Sequence, residues 1–302
     1  MLQGETLSLR LLRDVLLFSA LSFSLSSQSL AEQSPAEDIS ITTFNIKFYG
    51  LNGVFGGPAG SETRDSKIKA HLNRHQLWTD VMVFQEIVDV DALKTLVGTD
   101  YLCKSYEHSD KSHQHVVLCH KKKFTFVPAS DDDNFALEAV SMDKYRPAVH
   151  GVLVNKKGRR LVHIFGVHLK AQPNFSNMRL QQIGVVGDYL KGRADSEPAI
   201  ILGDFNTYHD DPEKMSEILA DDGIDMRQAV NSYNFTYRSG SNGSKLDRIW
   251  YSSALQVSEP AKVAGPCNEV GGSNQAVKTY NNDVSDHCPV TIKVKVPAAS
   301  ID

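Results

Sequence analysis

The chain has 302 residues, 41% of them hydrophobic and 23% charged, with a formal net charge of −4. That suits one large globular domain or two small ones. The mild acidity excludes a generally basic nucleic-acid coat, though not a local basic groove, and no run is long and apolar enough to span a membrane.

Residues 1–31 differ in kind from the rest of the chain. Arg10 and Arg13 precede the apolar stretch DVLLFSALSFSLSS, and Ser29 and Ala31 put small residues at the −3 and −1 positions of a cleavage after Ala31. This is the layout of a secretory signal peptide, so the chain is expected to be exported, secreted or periplasmic. A buried amphipathic helix is the alternative. The remainder, 32–302, shows no linker-like break and reads as one mixed α/β domain with its core over about 35–297.

Short β-rich runs recur along it. ISITTFNI (39–46) comes first, followed by the Gly-rich GLNGVFGGPAGSETR (50–64), which is either a substrate-side loop or an irregular insert. SKIKAHLNRHQ (66–76) reads as helix, VMVFQEI (81–87) as strand and VDALKTLVG (90–98) as helix. Strands are expected at 115–120, 148–154 and 161–169. A helix is expected at 178–193, where Leu180, Ile183, Val186 and Leu190 keep helical spacing. The last strands are 199–205, 245–251 and 289–296; VTIKVKV in the final one alternates, with lysines on one face.

Four cysteines lie in this domain: Cys103, Cys119, Cys267 and Cys288. In an exported chain an even count suggests disulfides, and four cysteines allow three pairings. Cys103 and Cys119 are centred on Lys111 in the turn-like SDKS, so two strands folding back there would face them. That favours Cys103–Cys119 and, by default, Cys267–Cys288. A rival reading starts from VSDHCPV (284–290), where Cys288 beside His287 suggests a thiol nucleophile with its base.

The ends of the apolar strands carry the chemistry. AIIL leads into Gly203, Asp204, Phe205 and Asn206; in extended chain Asp204 and Asn206 would project to one face. Asn45 ends ITTFN, Gln85 and Glu86 end VMVFQE, His168 ends FGVH, and Asp286 and His287 precede the last strand. Asp247 stands within KLDRI. Singly, such residues are turn formers or caps. Together, hard oxygen donors at Asn45, Glu86, Asp204, Asn206 and Asp286 suit Mg²⁺ or a similar cation, Mn²⁺ or Ca²⁺. Two histidines and a further Asp suit proton transfer at a phosphate. No zinc-type spacing occurs.

The motifs FNIK (44–47), QE (85–86), RPAV (146–149), VHLKA (167–171), GDFN (203–206), LDRI (246–249) and SDHCPV (285–290) resemble, in order, those of the endonuclease/exonuclease/phosphatase superfamily of deoxyribonuclease I-like enzymes. The resemblance implies a four-layer α/β sandwich, two packed mixed β-sheets flanked by helices. It also implies a divalent-metal phosphodiesterase, foremost an endonuclease acting on DNA or RNA as a monomer without stable membrane association. By position, it implies that Asn45, Glu86, Asp204 and Asp286 serve the metal and that Asp204 and Asn206 position the attacking water. His287 would be the general base, oriented by Asp247. His168 and Arg146, with Asn206, would bind the phosphate.

Two positions depart from the deoxyribonuclease I-like pattern. Val88 stands where an arginine reaches the DNA minor groove, and Gln114, between His113 and His115, where a carboxylate supports the second histidine. Alternatives within the fold are a sphingomyelinase-like or other phosphoester hydrolase, or a binding protein with a decayed site. The basic clusters HKKK (120–123) and NKKGRR (155–160) read as solvated turns or phosphate contacts, and DDDN (131–134) as a solvated loop.

Overall fold

The computed structural model describes residues 35–51, 62–107, 114–129, 134–193, 195, 197–220, 224–230, 235–239, 241–258, 260–268 and 274–298. The expected signal peptide, most of the Gly-rich segment, the SDKS turn and the acidic run 131–133 lie outside these residues.

Two mixed seven-stranded sheets carry the fold. In the first, β1 (Glu37–Tyr49) and β2 (Val81–Ile87) run parallel and are connected through helix α1 (Glu62–Arg74). β16 (Val290–Val296) lies antiparallel beside β1, with short β14 (Gln256–Val257) and β15 (Lys262–Val263) on its far side. β4 (His115–Lys121) lies antiparallel beside β2, and β3 (Tyr101–Lys104), reached through helix α2 (Val90–Val97), closes the edge.

The second sheet repeats this plan. β8 (Arg160–His168) and β9 (Ala199–Asp204) run parallel and are joined through helix α3 (Ser176–Gly192). Beyond β8 come β7 (Ala148–Asn155) and β5 (Phe124–Val127), with β6 (Ala136–Leu137) also on β7. Beyond β9 come β13 (Asp247–Ser252) and β10 (Met226–Gln228), which helix α4 (Asp211–Ala220) precedes. A hairpin of β11 (Tyr237–Ser239) and β12 (Asn242–Ser244) and helix α5 (Asn274–Asp283) complete the chain.

The alternation of side chains along each strand sorts them into layers. On β9, Ile200 and Leu202 join Val83, Val116, Leu118 and Ile164 in the core between the sheets. Ala199 and Ile201 join Ile183, Val186, Met215 and Leu219 of α3 and α4 in a second core outside. Ile68 and Leu72 of α1 and Leu93 and Leu96 of α2 cover the other sheet. The result is the expected four-layer sandwich. The sheets approach so closely at Gly166 that a Cβ there would lie 2.5 Å from Val83 Cγ1 of the facing sheet.

Cys103 and Cys119 face each other across β3 and β4, and both expected disulfides form. Cys288 is therefore bonded to Cys267 and buried in the core, which removes the thiol-nucleophile reading. Two disulfides are compatible with an extracellular location. They close loops of 16 and 21 residues, each worth about 3 kcal/mol by loop entropy. Full reduction is expected to lower the urea-unfolding free energy by about that amount per bridge. An unchanged midpoint would contradict it.

Both basic clusters sit away from the strand ends that carry the polar residues. NKKGRR makes the β7–β8 turn, with Asn155 Oδ1 accepting from Lys157 and Arg159 N–H groups. Lys121 and Lys123 pair with Asp80, which precedes β2, at 3.4 and 2.9 Å. Neither cluster contributes to the polar site at those strand ends.

The second sheet also buries a pair of rings, His150 and His163, whose Nε2 and Nδ1 lie 3.2 Å apart. Burial, then the facing ring, depresses His150 to about 3; burial, then Arg193, depresses His163 to about 4. Asp195 and Glu197 face His163, and Asp195 offsets part of this. Both rings are neutral when folded at pH 7, while the unfolded chain protonates them near pH ~6.5. Between there and pH ~4 the unfolded state binds more protons, so stability falls as pH falls. The slope is about 1.4 kcal/mol per pH unit for each ring, less for a pair that shares a proton. Denaturant titrations across this window should show the decline, and a flat profile would refute it.

Candidate active site

The parallel pairs β1/β2 and β8/β9 point their C-terminal ends to the same edge of the sandwich. Ligand sites of α/β sheets lie at such ends. These four ends deliver Asn45, Glu86, His168 and Asp204. β13 runs the other way and starts there, with Asp247 directly opposite Asp204. β16 is also antiparallel, with Val290 opposite Thr43, so the residues just before it, Asp286 and His287, reach the same edge.

The backbone is bent to aim these groups. The β1/β2 ladder shifts register between Asn45 and Tyr49, and the β2/β4 ladder between Phe84 and Ile87. Lys47, Phe48, Glu86 and Asn206 have φ of 39°, 48°, 61° and 48°. Left-handed conformations in non-glycine residues cost energy and concentrate at functional sites. Gly203 (φ 149°) lets β9 press against β8, since a Cβ there would lie 1.9 Å from the Val167 carbonyl oxygen. Asp204 and Asn206 thus do not share the face of one extended strand. β9 ends at Asp204, and the chain turns so that Asn206 N–H donates to Asp204 Oδ1 at 2.9 Å and Asn206 Nδ2 to the Leu169 carbonyl at 3.1 Å.

Asn45 is fully buried at the centre. Its Nδ2 donates to Glu86 Oε1 at 3.1 Å and Asp204 Oδ2 at 3.0 Å, and its Oδ1 accepts from Lys47 N–H. Glu86 Oε2 accepts from Phe48 N–H. His287 Nδ1 lies 2.8 Å from Asp247 Oδ2. An ionised carboxylate only accepts, so Nδ1 carries the proton and Nε2 is left facing Asp204 Oδ2, 3.7 Å away. His168 Nε2 lies 3.6 Å from the same oxygen.

The two histidines are driven apart. Burial opposes a charge on His287, yet Asp247 and Asp204 outweigh it and raise its pKa. Burial, then the Arg146 and His287 charges, hold His168 well below its ordinary value. Burial also raises Asp204, against the pull of His287. Opposed shifts in adjacent titratable groups mark different proton-transfer roles.

The remaining expected residues lie around this centre. Arg146 Nε donates to the His168 carbonyl at 3.4 Å and its Nη1 to Gln114 Oε1 at 3.3 Å. Gln114 thus engages Arg146, and His168 Nδ1 is buried without a hydrogen bond. Asp286 stands at the rim, paired at 3.2 Å with Lys47 Nζ. Val88 is half-buried, its N–H bonded to the Tyr49 carbonyl, and offers no charge there.

Several supporting residues gave no sequence signal. Ser285 Oγ donates to the Asn45 carbonyl and accepts from His287 N–H, tying the end of β1 to the histidine. Thr236 Oγ1 accepts from the Leu246 and Asp247 N–H groups, and the Thr236 carbonyl accepts from Cys288 N–H, so one residue braces both halves of the His–Asp pair. Buried Arg64 binds the Lys47 and Val284 carbonyls. The Tyr237 ring sits edge-on to His287, 4.9 Å between centroids.

These donors fit a hard divalent cation. Carboxylate oxygens of Glu86 and Asp204 converge on one Asn45 amide, burial disfavours the charge on Asp204, and Asp247 Oδ1 is buried without a partner. Asp204, Asp247 and His287 also bring ligand atoms within 4.8 Å of one another. An oxygen-rich, charge-strained set of this kind suits a hard divalent cation.

A model of the endonuclease/exonuclease/phosphatase family matches residues 42–287. A search of curated proteins finds no match. Among solved structures, an endonuclease/exonuclease/phosphatase from Bacteroides vulgatus is similar at TM-score 0.62 and 15% identity, over 86% of this chain and 99% of that one. A humanized D. rerio TDP2 is similar at TM-score 0.60 and 16% identity, over 85% and 98%. ANGEL2, a 2′,3′-cyclic phosphatase, is similar at TM-score 0.60 and 15% identity, over 88% and 97%. At such identities the structural likeness speaks to the fold alone.

Proposed function

The chain belongs to the endonuclease/exonuclease/phosphatase family, a superfamily of phosphoesterases, and from that premise we propose that it is an exported, divalent-metal-dependent phosphodiesterase cleaving nucleic acid. The observation that carries this reading is the His287–Asp247 pair, with the other ring nitrogen, Nε2, aimed at the cluster of Asp204, Asn45 and Glu86. Asp247 fixes the tautomer and strengthens the imidazole as a proton acceptor, so Nε2 takes the proton from an attacking water. Asn206 and Asp204 position that water. Neutral His168 and the permanently charged Arg146 hold the phosphoryl oxygens; the planar guanidinium suits phosphate.

Asn45, Glu86 and Asp204 would hold the cation, with Asp286 at the rim. When bound there, Mg²⁺, or Mn²⁺ or Ca²⁺ in its place, would supply positive charge against the charge growing on the phosphoryl oxygens. Nucleic acid is favoured because one TDP2 relative is solved with a single-strand DNA product and ANGEL2 with adenosine-2′,3′-vanadate. Val88 and Gln114 shift the preference away from plain duplex DNA.

A substrate panel tests the reading: plasmid, single-stranded DNA, RNA, sphingomyelin and a sugar phosphomonoester, each with Mg²⁺. The last is included because a Bacteroides thetaiotaomicron mannosyl-6-phosphatase shares the fold at TM-score 0.58 and 15% identity, over 85% of this chain and 99% of that one. Cleavage of a nucleic acid is expected. Hydrolysis of the monoester or the lipid alone would overturn the proposed substrate class.

A further inference from the structure

Beside the phosphate-binding residues stands a cation that the proposed mechanism does not use. Lys170 follows His168 by two residues, so its Cα lies no more than ~7 Å further along the backbone. Its ammonium lies over the Phe175 ring at 4.1 Å and towards the Tyr145 ring at 5.8 Å. It donates to the Ala171 carbonyl at 3.2 Å, and among the described residues its other two N–H groups have no hydrogen-bond partner. Among the described residues no carboxylate pairs with it. Partial burial, then Arg146 and Arg179, lower its pKa.

The backbone under Lys170 is rigidly set. Its N–H donates to buried Gln182 Oε1 at 2.9 Å, and its carbonyl and that of Gln172 accept from Arg179 Nη1 at 3.0 and 2.7 Å. On the other side, Leu169 N–H donates to the Asp204 carbonyl and the Leu169 carbonyl accepts from Asn206 Nδ2. A half-exposed, uncompensated ammonium flanked by aromatic rings and fixed to the catalytic strand end is built to meet an anion beyond the reacting one.

We propose that Lys170, flanked by Tyr145 and Phe175, binds the phosphate adjacent to the scissile one on a nucleic-acid strand; this rests on the phosphodiesterase reading of the His287 site. The subsite favours substrates that continue beyond the cleaved bond over isolated phosphoesters.

The test is equilibrium binding of fluorescein-labelled oligothymidylate, followed by anisotropy in EDTA over a range of salt concentrations. The full chain is used as wild type, Lys170→Ala and Lys170→Arg. Losing one phosphate contact should reduce the slope of log K against log salt by about 0.7 in Lys170→Ala, while Lys170→Arg keeps it. An unchanged slope in Lys170→Ala, or no binding by the wild type, overturns the subsite. Cleavage in Mg²⁺ is scored separately. Cleavage with an unchanged slope removes the subsite and keeps the enzyme; a changed slope without cleavage supports the anion contact and removes the phosphodiesterase reading.

Discussion

His287→Ala should lower kcat for phosphodiester cleavage at least ~100-fold, the scale of a lost general base. The ring is buried, and its Nδ1 is already committed to Asp247, so Nε2 is the atom that accepts the proton. Asp247→Asn tests the same pair from the other side. The neutral amide keeps the shape but loses the charge that, against burial, raises the His287 pKa. The acidic limb of kcat, along which deprotonation of His287 switches the base on, should then move to lower pH, with a smaller rate at its plateau. Thermal unfolding of both variants controls for folding. Cleavage by His287→Ala at the wild-type rate would sink the assignment.

The second large effect lies outside the reacting groups. Arg179 and Asp211 are both buried, and Arg179 Nε and Nη2 donate to Asp211 Oδ2 at 2.9 and 2.7 Å. The same oxygen accepts from Tyr208 N–H, and Ser176 donates to Oδ1. The pair therefore ties the strand-end segments 170–172 and 206–208 to α3 and α4. Arg179→Ala leaves an uncompensated buried carboxylate, for which about 3–5 kcal/mol is the usual cost. Urea unfolding should show a loss of that order, and Arg179→Ala/Asp211→Ala should lose less than the sum of the single variants. A loss within ~0.5 kcal/mol in Arg179→Ala, the scale of an ordinary surface substitution, would contradict this structural role.

Much of this arrangement was legible before any coordinate. Runs such as AIILGDF are apolar on both faces because their strands are covered by a sheet on one side and helices on the other, and their polar termini stood out against that pattern. The Cys103–Cys119 pairing followed from strand symmetry, and the register confirms it. What the sequence hid depends on tertiary neighbours. Ser285 and Thr236 are ordinary loop residues until their hydroxyls meet the backbones of Asn45, His287 and Asp247. Arg179 and Gln182 lie off the stripe of Leu180, Ile183, Val186 and Leu190, yet both are fully buried. The two-residue periodicity failed at Asn206, because the strand ends at Asp204 and the chain turns left-handed. Gln114 is legible in the sequence only as a missing carboxylate; its bond to Arg146, with His168 Nδ1 left without a hydrogen bond, depends on the fold.

A metal-dependent phosphodiesterase centred on Asn45, Glu86, Asp204 and His287 is tested most directly by oligonucleotide cleavage with chelator-dialysed protein as Mg²⁺ is restored, with Glu86→Gln alongside. No turnover is expected after chelation, with saturable recovery in Mg²⁺ for the wild type. Glu86→Gln should need at least ~10-fold more Mg²⁺, the scale of a perturbed metal site. Full-rate cleavage by the wild type in chelator would contradict the metal-dependent site.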